Sequence, residues 1–248
     1  MSLARYYNVG RRAISSVSPP FVFNNAWTFD GVNDTVLVPD AASLDFGTGD
    51  FCISTWVQLI NTGLNQDFIV KRSGSGAGYY CRLDQVGRLS FVVAGAATFT
   101  QLNTVSGVFT SGVWQHLVFI RKGTVLNDWG IYVNGVNKRV ASTVIVPLHD
   151  VNNAVPLRIM SNNSGAASNG RMDETTFYNK ALSPAEVAFL YNGGLGNLPP
   201  STALANLVAR YDFNSATGVL PNPILLDSSG NGNNGTGQNF LVSPLVLH

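Results

Sequence analysis

Carboxylate side chains come first, because hydrolysis of a glycosidic bond uses a pair of them as acid and as base or nucleophile. Asp173 and Glu174 are adjacent, so in a β-strand their side chains point to opposite faces. Asp30 and Asp34 flank a glycine turn and do not follow one strand face. These spacings argue against a paired-acid hydrolase, and we predict no catalytic residues.

The histidines and cysteines form no nucleophile motif. His116 and His149 have no Ser or Cys motif near them, and the chain contains neither Gly-x-Ser-x-Gly nor a phosphate-binding loop. Cys52 and Cys81 are the only cysteines and lie in apolar, strand-like runs. We predict that they are free and buried, with one disulfide as the alternative. Two cysteines alone cannot complete a structural zinc site.

Aromatic side chains are the candidates for glycan binding, because their faces stack on sugar rings. Trp129, which follows the polar stretch VLND, and Tyr191 are the two that we predict to bind glycan. The polar loop at residues 161–170 is more typical of a solvated turn than of a binding loop. The remaining tryptophans fall in strand patterns, and we expect them in the core: Trp27, Trp56 and Trp114.

The composition limits the function classes. Of 248 residues, 12% are charged and 45% are hydrophobic, and the net charge is +1. Nucleic-acid binding usually requires a basic face, which this balance does not favour. No stretch approaches the roughly 20 apolar residues of a membrane helix. The arginines of residues 1–20 are not followed by an apolar core, so we predict no secretory signal peptide.

Short strands separated by turns dominate residues 21–160. The run at residues 50–60 alternates with apolar groups on both faces, which indicates a central strand. Gly87 marks one hairpin turn, and Asn134-Gly135 is typical of a type I′ turn. We therefore predict an all-β fold, an antiparallel sandwich or jelly roll, with one short helix near the C-terminal third.

That helix is predicted within "SPAEVAFLYNGG", from Ser183. Ser183 and Glu186 have the spacing of a capping box, and Pro184 suits the first helical position. Gly193 and Gly194 are expected to end it, and its apolar residues to pack on the rim of the sandwich.

The run "GRMDETTFYNKALSPAEVAFLYNGG" resembles the closing segment of laminin-G-like and concanavalin-A-like lectin-glucanase jelly rolls. "WTFDGVNDTVLVPD", "FCISTWVQ" and "VWQHLVFIRKG" resemble earlier strands of that family, in the right order. The resemblance covers roughly residues 21–194. It implies an all-β, two-sheet antiparallel jelly-roll sandwich at residues 21–248, preceded by an N-terminal arm at residues 1–20.

The segment "LVARYDFNSATG…DSSGNGNNGTG" stands near the C-terminus, although in the family such a segment comes first. We predict that residues 205–248 supply strands normally found at the domain start, with residues 207–213 and 239–242 as strands. The domain is then circularly permuted, or it exchanges strands with a neighbouring copy. A truncated second domain is the third alternative. Either arrangement avoids an unpaired apolar sheet edge. We favour pairing within the same chain, because the connection at residues 192–203 is long enough to cross one end of the sandwich.

The resemblance also implies a calcium site. An Asp of the early Phe-Asp-Gly turn and the Asp of the Asp-Glu pair can share a cation in the family, which matches Asp30 and Asp173 here, with Asp34 as a contributor. The alternative is that these carboxylates only stabilise turns and cap backbone amides. Both readings stay open at this point.

Three functions follow from these features. The first is a non-enzymatic structural or adhesive component of a larger multicopy or homo-oligomeric assembly. We predict a phage or virion protein, because charge is low and strands are displaced. The second is a calcium-dependent carbohydrate-binding lectin module of a secreted or surface protein, which can coexist with the first. The third, a glycan hydrolase, is disfavoured by the missing acid pair.

Overall fold

The computed structural model describes residues 25–140, 146–162 and 164–247. Within these residues two antiparallel β-sheets pack face to face, and one α-helix lies outside them. The predicted all-β jelly-roll sandwich with one short helix is therefore confirmed. The N-terminal arm predicted at residues 1–20 lies outside the described residues.

The first sheet has eight strands: β1 (Asn25–Asp30), β3 (Phe51–Leu59), β8 (Gln115–Arg121), β9 (Gly130–Val133), β10 (Val136–Asn137), β12 (Asn169–Tyr178), β13 (Leu207–Tyr211) and β17 (Leu245–Leu247). Their order is β10-β9-β8-β3-β12-β1-β17, and β13 also pairs with β12. β1 pairs with the first half of β12, and β13 pairs with its second half. β3 is central between β8 and β12, as its two apolar faces predict.

The second sheet has nine strands: β2 (Thr35–Val38), β4 (Gln66–Arg72), β5 (Gly78–Leu83), β6 (Leu89–Ala94), β7 (Phe99–Asn103), β11 (Leu157–Ile159), β14 (Thr217–Val219), β15 (Asn222–Leu225) and β16 (Gly235–Gln238). Their order is β14-β15-β16-β2-β11-β4-β5-β6-β7. The hairpin turn between β5 and β6 contains Gly87 at φ +70°, where the sequence predicts it.

Two apolar clusters hold the sandwich together. The larger lies between the sheets and contains Phe51 and Ile53 of β3. The smaller contains Cys52, from the opposite face of β3, with Val187 and Leu190 of the helix α1 (Pro184–Tyr191). The helix therefore packs on the outer face of the eight-stranded sheet, whereas we expected it on the rim of the sandwich. Both cysteines are free and buried, as predicted.

The capping box of α1 forms as predicted. Ser183 Oγ accepts a hydrogen bond from the Glu186 N–H, and Glu186 Oε2 accepts one from the Ser183 N–H at 2.8 Å. The helix ends at Asn192, which adopts the left-handed conformation one residue before the glycines that we expected to end it. Short 3-10 helices occupy four further segments of the described chain: Ala42–Leu44, Leu126–Asp128, Asn192–Gly194 and Leu204–Asn206.

Residues 205–247 join both sheets of the same chain. β13 pairs with β12, while β14, β15 and β16 extend the nine-stranded sheet beyond β2. In β13 we expect Leu207, Ala209, Tyr211 and Phe213 on one face and Val208, Arg210 and Asp212 on the other. Ala209, Tyr211 and Phe213 do enter the larger core. Val208 enters it as well, and Leu207 packs against the smaller cluster, so the alternation fails at the start of the strand. The strand expected at residues 239–242 is absent, because this stretch is a turn that buries Phe240 between β16 and β17. The permuted origin of the segment stays a prediction.

Candidate functional site

The turn between β1 and β2 uses two carboxylates to hold its backbone. Asp30 Oδ1 accepts hydrogen bonds from the N–H groups of Val32, Asn33 and Asp34, at 2.8, 3.1 and 3.3 Å. Asp34 Oδ2 accepts from the Asp30 N–H at 3.1 Å. Burial alone would raise the pKa of Asp30, but these donors bring it below its usual value. Burial raises the pKa of Asp34 to about 6.

Asp173 lies away from this turn. β1 and β12 pair Asp30 with Asn169, and the step along β12 from position 169 to position 173 spans about 13 Å. Asp173 is 1% exposed. Burial, followed by the charge of Glu174, raises its pKa to about 9. Among the described residues no group of three or more His, Cys, Asp or Glu is placed to hold a metal. The three predicted ligands do not form one site.

Glu174 belongs to an ion pair that joins β12 to β13. Arg210 donates to both of its carboxylate oxygens, at 3.0 and 2.7 Å. Glu174 has φ +43° and sits where the pairing of β12 with β3 shifts register. The regular alternation that we assumed for Asp173 and Glu174 is therefore interrupted by a bulge. The Glu174 carboxylate supports the sheet through Arg210.

Trp129 occupies the core, contrary to the exposed position that we expected. It is 1% exposed, and its ring lies 6.2 Å from that of Phe91 between the sheets. Its Nε1–H donates to the Gly123 carbonyl at 3.1 Å. The ring thus has no free face for a sugar. Trp27 and Trp56 are buried as expected, whereas Trp114 is only partly buried.

Tyr191 is half-buried and stacks on the outer face of the eight-stranded sheet. Its ring centroid lies 6.0 Å from that of Trp56 and 6.2 Å from that of His116. His116 Nε2 lies 2.8 Å from Ser54 Oγ, and burial lowers the pKa of His116 to about 3. These partners cover one face of the Tyr191 ring. Its role in glycan binding stays a prediction.

A solvent-open pocket on the outer face of the nine-stranded sheet combines an aromatic ring with charged and amide groups. We call it the Tyr80 pocket. Its volume is about 230 Å³, below the 300–1,000 Å³ of drug-sized sites and suited to a single sugar ring. Its lining comes from β4, β5, the turn between them and the loop before β12: Asp67, Val70, Arg72, Gly74, Tyr80, Arg82, Asn162 and Ser164.

Strand register brings these groups together. Tyr80 lies opposite Val70 of β4, and Arg82 lies opposite Asp67. The Arg82 guanidinium carbon lies 5.0 Å from the centre of the Tyr80 ring, and that of Arg72 lies 5.8 Å from it. Arg82 also donates to both oxygens of Asp67, at 2.6 and 3.0 Å. The pair of charges and the cation–π contacts hold the ring in place.

An exposed aromatic extends the same surface. Phe99 of β7 is 59% exposed, and its ring centre lies 5.9 Å from the Arg72 guanidinium carbon. Gly78 and Ala94 lie between them in the register of β4 to β7. Gly78 has φ +137°, and a Cβ there would lie 2.6 Å from the Arg72 Cα, so a side chain cannot be accommodated.

A larger groove of about 590 Å³ lies between α1 and residues 200–202. Its charged groups are already paired, because Lys180 Nζ donates to Glu186 Oε1 at 2.8 Å and Thr202 Oγ1 donates to the same oxygen at 2.7 Å. Phe189 is its exposed aromatic, 49% accessible. Volume favours this groove, but the chemistry of sugar recognition favours the Tyr80 pocket, where a ring and several polar groups converge.

Sequence reasoning did not find the Tyr80 pocket. From the sequence we assign no binding role to Tyr80 or Arg82, and we interpret the loop containing Asn162 as a solvated turn. The available signal was the alternation of "YYCRL", which puts Tyr80 and Arg82 on one face of β5. Their partners Asp67 and Asn162 are distant in sequence and become neighbours only through strand pairing.

Several solved structures share this fold. The "putative carbohydrate binding protein" from Bacteroides ovatus ATCC 8483 is 17% identical, with a TM-score of 0.59 over 92% of this chain and 60% of that one. The binding domain of Paraclostridial Mosquitocidal Protein 1 is 18% identical, with a TM-score of 0.54 over 70% of this chain and 47% of that one. At these identities the likeness shows the fold alone.

A third structure comes from work on cell entry of botulinum neurotoxin type C through interaction with two ganglioside molecules. It is 14% identical, with a TM-score of 0.51 over 70% of this chain and 42% of that one. The chain thus spans about half the length of the structures it resembles. No curated protein matches it.

In the part of the chain that the structure describes, no helix is long and apolar enough to cross a membrane. The family model of laminin-G type described as the concanavalin A-like lectin/glucanases superfamily matches residues 30–188, more than half of the chain. That stretch contains β2 to β12, which includes the centre of both sheets and the whole Tyr80 pocket. The chain therefore belongs to the concanavalin A-like lectin/glucanase superfamily.

Proposed function

We propose that this protein is a carbohydrate-binding module whose glycan site is the Tyr80 pocket. The observation that carries the proposal is a half-buried tyrosine ring that lines a solvent-open pocket, with two guanidinium groups in contact with it. These contacts keep the ring rigid, and the part of the ring that lines the pocket can contact the C–H groups of a sugar. Membership of the lectin/glucanase superfamily supports the proposal, as does the shared fold of the structure described as a "putative carbohydrate binding protein".

The polar groups around Tyr80 suit sugar hydroxyls. Asp67 and Arg82 already bind each other, which fixes their remaining acceptor and donor positions at the pocket wall. Asn162 Oδ1 accepts the N–H groups of Ser164 and Ala166 at 2.9 and 3.0 Å, so the loop that lines the pocket is held by its own turn. A preorganised site needs less ordering on binding.

We further propose that the Tyr80 pocket binds carbohydrate without hydrolysing it. Asp67 is the one carboxylate that lines the pocket, and it is paired with Arg82 at 2.6 Å. Glycoside hydrolysis generally requires a second carboxylate across the bond. The pocket chemistry therefore favours a lectin over a glycan hydrolase.

A glycan array on the protein displayed in many copies tests this function, because one aromatic platform gives weak binding that multivalency strengthens. Tyr80→Ala should reduce binding about fivefold or more. Phe189→Ala is the matched control, since this exposed aromatic residue belongs to α1 and lines the other groove. Loss of binding with Phe189→Ala and not with Tyr80→Ala would move the site to that groove. No binding by the native protein would overturn the function.

We propose a second, compatible function, association of copies of this chain in an assembly. Its support is a ring of aliphatic side chains at one end of the sandwich, each at least 42% exposed: Val32, Ile60, Leu64, Val113, Leu220, Leu241 and Val242. The loops that carry them touch, since Asn239 Nδ2 donates to the Asn33 carbonyl at 3.0 Å and Phe240 N–H to the Pro221 carbonyl at 3.1 Å. Apolar patches of this kind mark interaction sites.

Light scattering tests the assembly proposal. Leu241→Asp combined with Val242→Asp should lower the mass of the native oligomer, whereas Val219→Asp on the edge strand β14 should not. A native monomer at high concentration would contradict association through this end. The finer prediction, that the assembly is a virion, and the prediction of calcium at Asp30, Asp34 and Asp173 are supported by no contact among the described residues.

A further inference from the structure

Charge is distributed unevenly over the outer face of the nine-stranded sheet. The outward charged residues of β4, β5 and β11 are three arginines and one carboxylate: Arg72, Arg82, Arg158 and Asp67. The whole chain has a net charge of only +1. This face is therefore a local concentration of positive charge in an otherwise charge-poor protein.

Two of these arginines are already engaged. Arg82 forms its bidentate pair with Asp67. Arg72 Nε donates to the Gly76 carbonyl at 2.8 Å, and its Nη2 donates to the Ser75 carbonyl at 3.2 Å. Both keep their positive charge beside Tyr80 while serving as its supports.

Arg158 differs from them. It is half-buried on β11, directly opposite Val70 of the pocket lining, and two strand spacings from Tyr80. Two spacings are about 9.6 Å, which the length of an arginine side chain largely covers. Within the described residues no hydrogen bond or ion pair engages its guanidinium group. Arg158 is not itself a lining residue of the pocket, but its neighbour across the strands, Val70, is. From that position a planar fork of donors fits a carboxylate in bidentate geometry.

We infer that the ligand of the Tyr80 pocket is an acidic sugar whose carboxylate is bound by Arg158 while its ring lies on Tyr80. This inference rests on the proposed function and specifies the substrate class of the same site. The net positive charge of the face also increases the rate at which an anionic glycan approaches it, an effect that falls with salt.

The test compares glucose-terminated and glucuronic-acid-terminated oligosaccharides, whose terminal rings differ only in the oxidation state of C6. The native protein should bind the acidic glycan about tenfold more tightly at low salt. Arg158→Gln should remove this preference, so that the acidic and the neutral glycan bind equally. Arg158→Lys should restore part of it, because a point charge replaces the fork. The melting temperatures of both variants serve as the folding control.

The outcomes separate the inference from the function. Equal binding of both glycans, still lost in Tyr80→Ala, would overturn the acidic-ligand inference and leave the carbohydrate-binding function intact. A preference that persists in Arg158→Gln would also overturn it. A glucose ring sulfated at C6 forms a third arm, and tighter binding of that glycan than of glucuronic acid would replace the carboxylate by a sulfate. Absence of all glycan binding would overturn the function itself.

Discussion

The ammonium group of Lys71 donates to Asp45 Oδ1 at 2.8 Å, with the lysine side chain fully buried. Asp40 Oδ1 lies at the same distance, and the Asn153 carbonyl accepts at 3.0 Å. Lys71 belongs to β4, next to Arg72 of the Tyr80 pocket. One buried cation thus ties β4 to the two loops that precede β3 and β11.

Replacing Lys71 by Met should destabilise the fold, because two carboxylates would then face each other without a cation. We expect a loss of about 3 kcal/mol, the lower end for a broken buried ion pair, since the Asp40 side chain is still 37% exposed. Urea denaturation measures it, with Lys138→Met on the exposed β9–β10 hairpin as the control. A loss below about 1 kcal/mol would mean that solvent screens the cluster.

Glu186 predicts a pH dependence of the helix cap. Burial would raise the pKa of Glu186, but hydrogen bonds from Lys180, Ser183 and Thr202 lower it to about 2. The ionised Glu186 carboxylate therefore stabilises the fold fully above pH 4.5, the ordinary pKa of a glutamate, and this stabilisation is lost as the pH falls towards 2. Glu186→Gln should cost about 1 kcal/mol at pH 7, and the gap to the native protein should close in that acidic window. Thermal melts of the native protein and of Glu186→Gln, at pH 7 and near pH 2, measure this difference in stability. A difference that is the same at both pH values would contradict the ion pair between Lys180 and Glu186.

Asp173 predicts the opposite trend. Its folded pKa of about 9 exceeds the ordinary 3.8, so the folded state keeps a proton that the unfolded state has released. Stability is then lost as the pH rises between these values, by up to about 1.4 kcal/mol per unit. Asp173→Asn keeps the acceptor for the Glu174 N–H and cannot ionise, so it should be increasingly more stable than the native protein from pH 5 to pH 9. A pH-independent difference would show that Asp173 is ionised in the fold.

Asp30 distinguishes a structural turn from a calcium site. Because Asp30 Oδ1 accepts three backbone N–H groups, Asp30→Ala should cost roughly 1–2 kcal/mol whether or not calcium is present. The measurement is a thermal melt with calcium and with chelator, for the native chain, Asp30→Ala and Asp173→Ala. A calcium-dependent rise in the native melting temperature that both variants abolish would support the predicted calcium site instead.

Truncation tests the contribution of residues 205–248. Removing everything after Pro200 deletes β13 and takes Ala209, Tyr211 and Phe213 out of the core, so the shortened chain should not fold. Removing only the residues after Ser243 deletes β17 at the sheet edge, and this longer chain should still fold. Circular dichroism and solubility report both. A stable fold after the longer truncation would make the segment an appendage.

Local signals in the sequence determined the elements whose causes are local. The capping box at Ser183 and Glu186 involves neighbours three residues apart, and the positive φ angles of Asn134 and Gly135, 51° and 77°, are those of the predicted hairpin turn. The alternation of β3 and β13 likewise predicted strands, because side-chain direction follows from strand geometry alone. The family resemblance added the two-sheet arrangement of these strands.

Tertiary structure alone decided which side chains meet. Trp129 follows a polar stretch, yet strand pairing turns it into the core, where Gly123 satisfies its indole N–H. Asp173 lies far from Asp30 because the register of β12 and β1 separates them. The Tyr80 pocket joins Asp67 and Asn162 to a tyrosine of another strand. Sequence spacing carries no information on such contacts, because cross-strand distance depends on which strands pair and in which register.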